Sequence, residues 1–189
     1  MKMPLIIERA LFVFAPRDSG KSTQLRSIFR DHRFGTNGHV TPGSESRKLG
    51  ETYYISSERC LYLRFTSPHE VGESPSEFLK KTYRKMVSGR WCFACPFQPE
   101  AFRRMPEVVK SVALFVKAFH PERVRVVFLS PTRHGVEIEE FLPGRDVRAE
   151  LLRIDPVEVA CIDGRYREAN GLFWQISSIS HEVKVHSLT

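Results

Sequence analysis

The stretch from Ala10 to Phe29 constrains the fold of this chain more than any other. Its apolar run Leu11 to Ala15 has the length and composition of a buried strand. A polar, turn-prone run from Pro16 to Gly20 follows, and then Lys21-Ser22-Thr23. From Leu25 onward, apolar side chains recur at helical spacing. The sequence therefore predicts a strand, a tight loop and a helix that begins near Gly-Lys-Ser.

A loop in this setting can bind phosphate. The first turn of a helix has unpaired N–H groups and the positive end of the helix dipole. Gly20 lets the backbone approach a ligand without a Cβ in the way. Lys21 can reach the β- and γ-phosphates of a nucleotide, and the Ser22 hydroxyl can join the ligands of Mg²⁺. We therefore expect an anion site between the strand and the helix.

The segment Ala15 to Thr23 resembles the P-loop, or Walker A motif, of the P-loop nucleoside-triphosphatase superfamily, with Ala15 at the position of the first glycine. The resemblance implies a single nucleotide-binding domain that takes ATP or GTP with Mg²⁺. The alternative is an ordinary basic loop at the start of an ordinary helix. The residues that would hold the nucleotide are Arg17, Asp18, Ser19, Gly20, Lys21, Ser22 and Thr23.

Length and charge limit the number of domains and the kinds of partner that this chain can have. The chain has 189 residues, which is enough for one α/β domain over 1–189. Its 29 basic and 22 acidic residues give a formal net charge of +7, which favours polyanionic partners without choosing among them. No apolar run approaches the ~18 residues of a membrane span, and the N-terminal apolar run is too short for a signal peptide. We therefore expect a cytoplasmic protein with no membrane partner.

Strand and helix patterns alternate through the chain, which favours a mostly parallel sheet with helices on both faces. The segment 51–65 adds an early β-hairpin. We expect an α/β, three-layer P-loop fold whose ligand binds at the carboxyl ends of the strands. Predicted strands are Met3–Ala15, Tyr53–Ile55, Cys60–Phe65, Trp91–Cys95, Val124–Leu129, Val157–Ile162 and Leu172–Ile176. Predicted helices follow the phosphate loop and span 75–88, 106–119 and 145–153, and a mobile loop is predicted over 36–50.

P-loop enzymes usually have an acidic residue at the end of a second apolar strand, which holds the Mg²⁺ through water, and its position in this chain is ambiguous. Asp163 follows the apolar run of the strand Val157–Ile162, but it also suits the first position of a turn with Gly164. Glu70 lies closer in the chain, on the segment that leaves the hairpin and that we expect to face the triphosphate, beside the P-loop strand. Both Glu70 and Asp163 remain candidates beside Ser22.

Two branches of the superfamily compete. Translation-factor-like GTPases share the flexible loop and the hairpin, but Thr66-Ser67-Pro68-His69 and Ser130-Pro131-Thr132-Arg133 replace the signatures of that branch, so guanine specificity has no support. Small-molecule and nucleotide kinases resemble the layout, and they place arginines after the fourth strand to clamp the transferred phosphoryl group. That resemblance implies a catalytic role beside Lys21 for Arg133, Arg145 and Arg148. The alternative is that these arginines pair with surface acids.

A basic helix, a pair of cysteines and two histidines are further candidates for a functional role. The helix over 78–88 has a basic face, which is either solvated or contacts a polyanion such as nucleic acid. Its predicted buried stripe is Phe78, Leu79, Thr82, Tyr83, Met86 and Val87. Two residues separate Cys92 from Cys95, yet the surrounding apolar residues favour a core strand over zinc or redox chemistry. His69 and His134 lie on loops that we expect to face the site, where each could act as a base.

The sequence thus supports three hypotheses. The first is a Mg²⁺-dependent, ATP-binding P-loop protein that hydrolyses nucleotide or transfers phosphate to an unknown acceptor. The second is a nucleotide-sensing regulatory module with little turnover, because a clear metal-side acid is missing. The third is a basic protein that associates with nucleic acid through residues 78–88.

Overall fold

A computed structural model describes residues 4–27, 50–144 and 146–165. Three predicted features lie outside these residues: positions 36–49 of the mobile loop predicted over 36–50, the site residue Arg145 and the strand Leu172–Ile176. Gly50, the last position of that predicted loop, belongs to a strand. No helix of the described part is both long and apolar enough to cross a membrane.

Six strands and five helices make up the described part of the chain. The strands are β1 (Leu5–Phe14), β2 (Gly50–Tyr54), β3 (Arg59–Arg64), β4 (Gly89–Phe97), β5 (Arg123–Leu129) and β6 (Val157–Ile162). The helices are α1 (Lys21–Ser27), α2 (Pro75–Lys85), α3 (Val108–Phe119), α4 (Ile138–Phe141) and α5 (Val147–Leu152). The predicted α/β class is confirmed.

The strands form one sheet in the order β2-β3-β4-β1-β5-β6. β2 runs antiparallel to β3, and the other neighbouring pairs are parallel. The strand beside β1 is therefore β4 and not the hairpin strand β3, so that part of the prediction is wrong. The sequence did not show it because strand order depends on pairing between distant segments. The carboxyl ends of the five parallel strands share one edge, where open α/β sheets bind ligands.

The two faces of the sheet differ in composition. Phe12 and Phe14 of β1 point to a face packed with aromatic rings, where Phe93 and Phe115 stack with centroids 4.9 Å apart. Leu11 of β1 points to the other face, where it packs in a largely aliphatic cluster with Leu25 of α1. This alternation follows from the two-residue period of a strand. It places α1 on one face and α2 and α3 on the other.

Helix α2 begins as the sequence predicts but buries less than expected. Ser74 caps it, and Glu77 completes the capping box. Its inward face includes Phe78, Thr82 and Met86, whereas Tyr83 and Val87 are 63% and 62% exposed, so their predicted burial is wrong. Tyr83 lies outside the narrow face that meets the sheet, and Val87 lies beyond the end of α2, which stops at Lys85. The short helix α4 was not predicted, because four residues are too few to show a helical period.

The two cysteines that are separated by two residues are part of the core. Cys92 and Cys95 both lie in β4 and are buried as free thiols. Burial raises the pKa of Cys92 to about 12 and raises that of Cys95 further. Neither is therefore a reactive thiolate near neutral pH, which supports the structural interpretation of this pair.

Candidate functional site

The loop that joins β1 to α1 turns sharply at the carboxyl edge of the sheet. The amide of Ala15 donates to the carbonyl of Phe97 in β4, 3.5 Å away. Asp18 and Gly20 have left-handed backbones, with φ of 59° and 89°. A Cβ at Gly20 would lie 3.4 Å from Cδ of Arg133. Glycine suits this position because its backbone tolerates positive φ and because an arginine already covers it.

Lys21 is the first residue of α1, and its side chain folds back beneath the loop. The residue is 3% exposed, and its Nζ donates to the carbonyl oxygens of Ala15 at 2.9 Å and Pro16 at 2.6 Å. Burial lowers the pKa of Lys21 to about 8, although the charges of Glu70 and Asp18 oppose the shift. The acceptors that hold the ammonium are neutral, so its buried charge favours an arriving anion.

A small open cavity lies over this lysine. Its volume is about 160 Å³, and it is lined by the six successive residues 18–23 together with Glu70 and Arg133. In liquid water that volume corresponds to roughly five molecules. The space is therefore of the size of phosphate groups and smaller than the ~300 Å³ at which sites for whole small molecules begin. Of the seven predicted nucleotide-binding residues, Arg17 does not line it; it is exposed and lies 3.6 Å from Asp18.

The segment after β5 closes one side of the cavity. β5 pairs directly with β1, so this segment leaves the sheet next to the phosphate loop. Arg133 lies over Gly20, and His134 Nε2 lies 3.2 Å from the carbonyl oxygen of Asp18 and 3.0 Å from Nε of Arg133. Buried Thr132 holds the turn, since its Oγ1 accepts from the amides of His134 and Val136. Arg133 is thereby placed where sequence analysis expected an arginine.

The segment after β3 closes the opposite side. Glu70 lines the cavity, and its carbonyl accepts from Nη1 of Arg103 at 2.8 Å. His69 beside it is fully buried, and burial lowers its pKa to about 4. Its Nε2 lies 3.1 Å from the carbonyl of Pro106, which can only accept, so Nε2 carries the proton and Nδ1 accepts from Ser67 Oγ at 3.3 Å. These two hydrogen bonds hold the segment after β3 in place. His69 therefore has a structural role and does not serve as the base that its position suggested.

The predicted metal-side residues do not all meet. Ser22 and Glu70 line the same cavity, whereas Asp163 does not. Asp163 follows β6, two strands from β1, and its carboxylate accepts from Arg165 at 2.6 and 3.0 Å. These hydrogen bonds lower the pKa of Asp163, as expected for a turn residue. Within the described ranges, no cluster of three or more histidine, cysteine, aspartate or glutamate residues could hold a metal by itself.

The predicted arginine clamp is only partly assembled. Arg133 lines the cavity, but Arg148 is exposed on α5 and is absent from the lining. Its charge instead lowers the pKa of Cys161, which burial raises overall. Arg145 lies outside the described residues.

Gln98 is a residue that sequence analysis missed. It directly follows β4, whose last residue Phe97 pairs with Phe14, so it stands at the end of a strand that flanks the phosphate loop. It is 8% exposed, and its Nε2 is buried without a hydrogen-bond partner among the described residues. A buried amide left unpaired costs about 1–3 kcal/mol, so it invites a functional explanation. Only the strand order reveals its position.

Comparison with protein-family models, with curated proteins and with solved structures finds no match to this chain. The assignment below therefore depends on the residues and their geometry.

Proposed function

We propose that this chain is a Mg²⁺-dependent, ATP-binding P-loop protein of three-layer fold that hydrolyses nucleotide or transfers a phosphoryl group to another molecule. One observation carries the proposal: a buried lysine, held by neutral carbonyls, lies beneath a phosphate-sized cavity that the loop 18–23 lines. This combination is costly for a protein unless an anion occupies the cavity, because the buried charge has lost its hydration.

Lys21, the loop amides and Arg133 would each make a different contact with the nucleotide. In the proposal, Lys21 exchanges its two carbonyl acceptors for β- and γ-phosphate oxygens, and the loop amides donate to the same anion. Arg133, which already covers Gly20, donates to the transferred group and stabilises charge that develops there.

The residues present suit Mg²⁺, which is usually held by one or two protein oxygens together with phosphates and water. Ser22 would supply a hydroxyl and Glu70 a carboxylate, both from the lining of the cavity. When bound, the ion would neutralise phosphate charge during transfer.

Thermal unfolding with nucleotide tests the proposal. Mg²⁺ with ATP at ~100 times its dissociation constant should add about 2.7 kcal/mol to the free energy of unfolding. The shift should vanish in Lys21→Ala, whereas Lys117→Ala, an exposed lysine on α3, should retain it. GTP in place of ATP gives the base preference. The proposal is wrong if neither nucleotide stabilises the wild type, or if Lys21→Ala keeps the shift.

Gln98 favours a second candidate, a nucleotide-sensing module with little turnover. The strand end beside the phosphate loop carries a neutral amide, and Asp163 is bound to Arg165. A site in which Glu70 is the one predicted metal-side acid of the lining would bind nucleotide yet transfer phosphate slowly. Release of phosphate from ATP distinguishes the candidates: steady release that disappears in Lys21→Ala supports an enzyme, and tight binding without release supports a sensor.

A further inference from the structure

A second and larger concavity opens on the other side of β4 from the phosphate loop, at the edge of the sheet. Its volume is about 650 Å³, within the range of small-molecule sites. Gly50 and Thr52 of β2 and Arg64 of β3 line its floor, and Lys81, Arg84 and Lys85 of α2 line its side. Gly50 pairs with Arg64 across the hairpin, and a Cβ at Gly50 would lie 2.7 Å from the carbonyl oxygen of Leu63, so the close approach of the strands leaves no space for a side chain there. We name this concavity the edge groove.

Charge in the edge groove is strongly one-sided. Four cations line it against the single acid Glu51. Glu73, behind them, accepts from Nη1 of Arg64 at 2.9 Å and from Nζ of Lys81 at 2.9 Å. Counting Glu73, the four positive and two negative charges leave +2. Because Glu73 already engages Arg64 and Lys81, the two exposed cations Arg84 and Lys85 supply the surplus.

The lining of the edge groove favours a compact ligand over single-stranded nucleic acid. Proteins that bind single-stranded nucleic acid stack bases on exposed aromatic rings. The aromatic residue of the lining, Tyr62, is 3% exposed and offers no such platform. A phosphomonoester carries about −1.5 to −2 at neutral pH, which matches the surplus charge.

We propose that the edge groove binds a small phosphomonoester, whose phosphate pairs with Arg84 and Lys85 of α2 and whose uncharged part lies against β2 and β3. This site is separate from the phosphate loop, so the proposal does not depend on nucleotide binding. It assigns to the basic face of α2 a small ligand instead of nucleic acid.

The test measures binding of ribose 5-phosphate by calorimetry in a Lys21→Ala background, which removes the lysine of the phosphate loop. Ribose is the uncharged comparison. Arg84→Ala/Lys85→Ala removes two groove cations, and Lys80→Ala/Lys117→Ala removes two exposed cations that do not line the groove. The net-charge change is the same, and all four side chains are exposed, so thermal melts should show both variants folded.

We expect ribose 5-phosphate to bind and ribose not to bind. The groove variant should lose at least tenfold in affinity, and the matched variant less than twofold. Equal losses in the two variants would mean a diffuse charge effect and would overturn the proposal. It is equally overturned if the sugar phosphate does not bind, or if oligouridylate binds through Arg84 and Lys85 while ribose 5-phosphate does not.

Discussion

Two buried cations at the same edge of the sheet, Lys21 after β1 and Arg64 at the end of β3, are held in opposite ways. Arg64 is 1% exposed, and its Nη1 and Nη2 donate to the two carboxylate oxygens of Glu73 at 2.9 and 3.2 Å. Lys21 donates to two carbonyls. Burial alone would lower the pKa of both side chains. At Arg64, Cys95 and then Glu73 outweigh burial and raise the pKa, whereas the pKa of Lys21 falls to about 8.

This difference indicates that Arg64 has a structural role and that Lys21 has a role in binding an anion. The carboxylate of Glu73 neutralises the charge of Arg64, so burial of this cation needs no anionic ligand. The two carbonyls around Lys21 accept from its ammonium group but carry no charge, so the β1 region gains when an anion enters. A buried cation is thus informative about function only when its partners are known.

The largest predicted effect tests whether the buried pair of Arg64 and Glu73 stabilises the fold. Glu73→Ala should lower the free energy of unfolding by about 3–5 kcal/mol, because it leaves Arg64 buried without its partner. Lys81→Met, which removes the half-exposed cation on the same carboxylate, should cost less than about 1 kcal/mol. Urea unfolding measures both. If Glu73→Ala costs no more than Lys81→Met, the Arg64 pair is not part of the framework.

The second prediction concerns the cost of burying Lys21, which the charges of Glu70 and Asp18 offset only in part. The folded-state pKa of Lys21 is below the ordinary value of 10.5, so the unfolded chain holds the proton more tightly and raising the pH favours folding. Between pH 7 and 9.5 this group should add about 2 kcal/mol to the free energy of unfolding. Lys21→Met should lack that increment. A wild type and variant that change in parallel would show that Lys21 is not buried as a cation.

His69 lies on the segment that follows β3, and its titration changes stability in the same direction as that of Lys21, but in a more acidic pH range. Its folded-state pKa of about 4 is below its ordinary 6.5, so on acidification the unfolded chain takes up the proton first. From pH 7 to pH 5 the wild type should lose about 2 kcal/mol through this group. His69→Asn should not show this loss. A variant that retained it would assign the titration to another group.

The last prediction tests whether the charge of Lys21 contributes to nucleotide binding. If the charged Lys21 binds phosphate, affinity for Mg²⁺ with ATP should fall by about tenfold, or 1.4 kcal/mol, for each pH unit above about 8. Below pH 8 this group should add no dependence. Isothermal titration across pH 7–10 measures it, and Lys21→Arg, which stays charged, should flatten the decline. A decline that persists in Lys21→Arg would assign it elsewhere.

The sequence was most informative where the signals are local. The apolar run, the glycine and the helical stripe of 10–27 predicted β1, the loop and α1, and the capping box at Ser74 predicted the start of α2. Gln98 and the position of β4 beside β1 could not be found, because they depend on which distant strands pair. Asp163 looked equivalent to Glu70 for the same reason, yet the sheet carries it two strands from β1.

The most direct test of the central claim is a crystal structure with Mg²⁺ and a non-hydrolysable ATP analogue. The account predicts that Lys21 Nζ leaves the carbonyls of Ala15 and Pro16 for β- and γ-phosphate oxygens, with Arg133 on the γ-phosphate and Ser22 on the metal. A nucleotide bound elsewhere, with Lys21 still donating to both carbonyls, would contradict it.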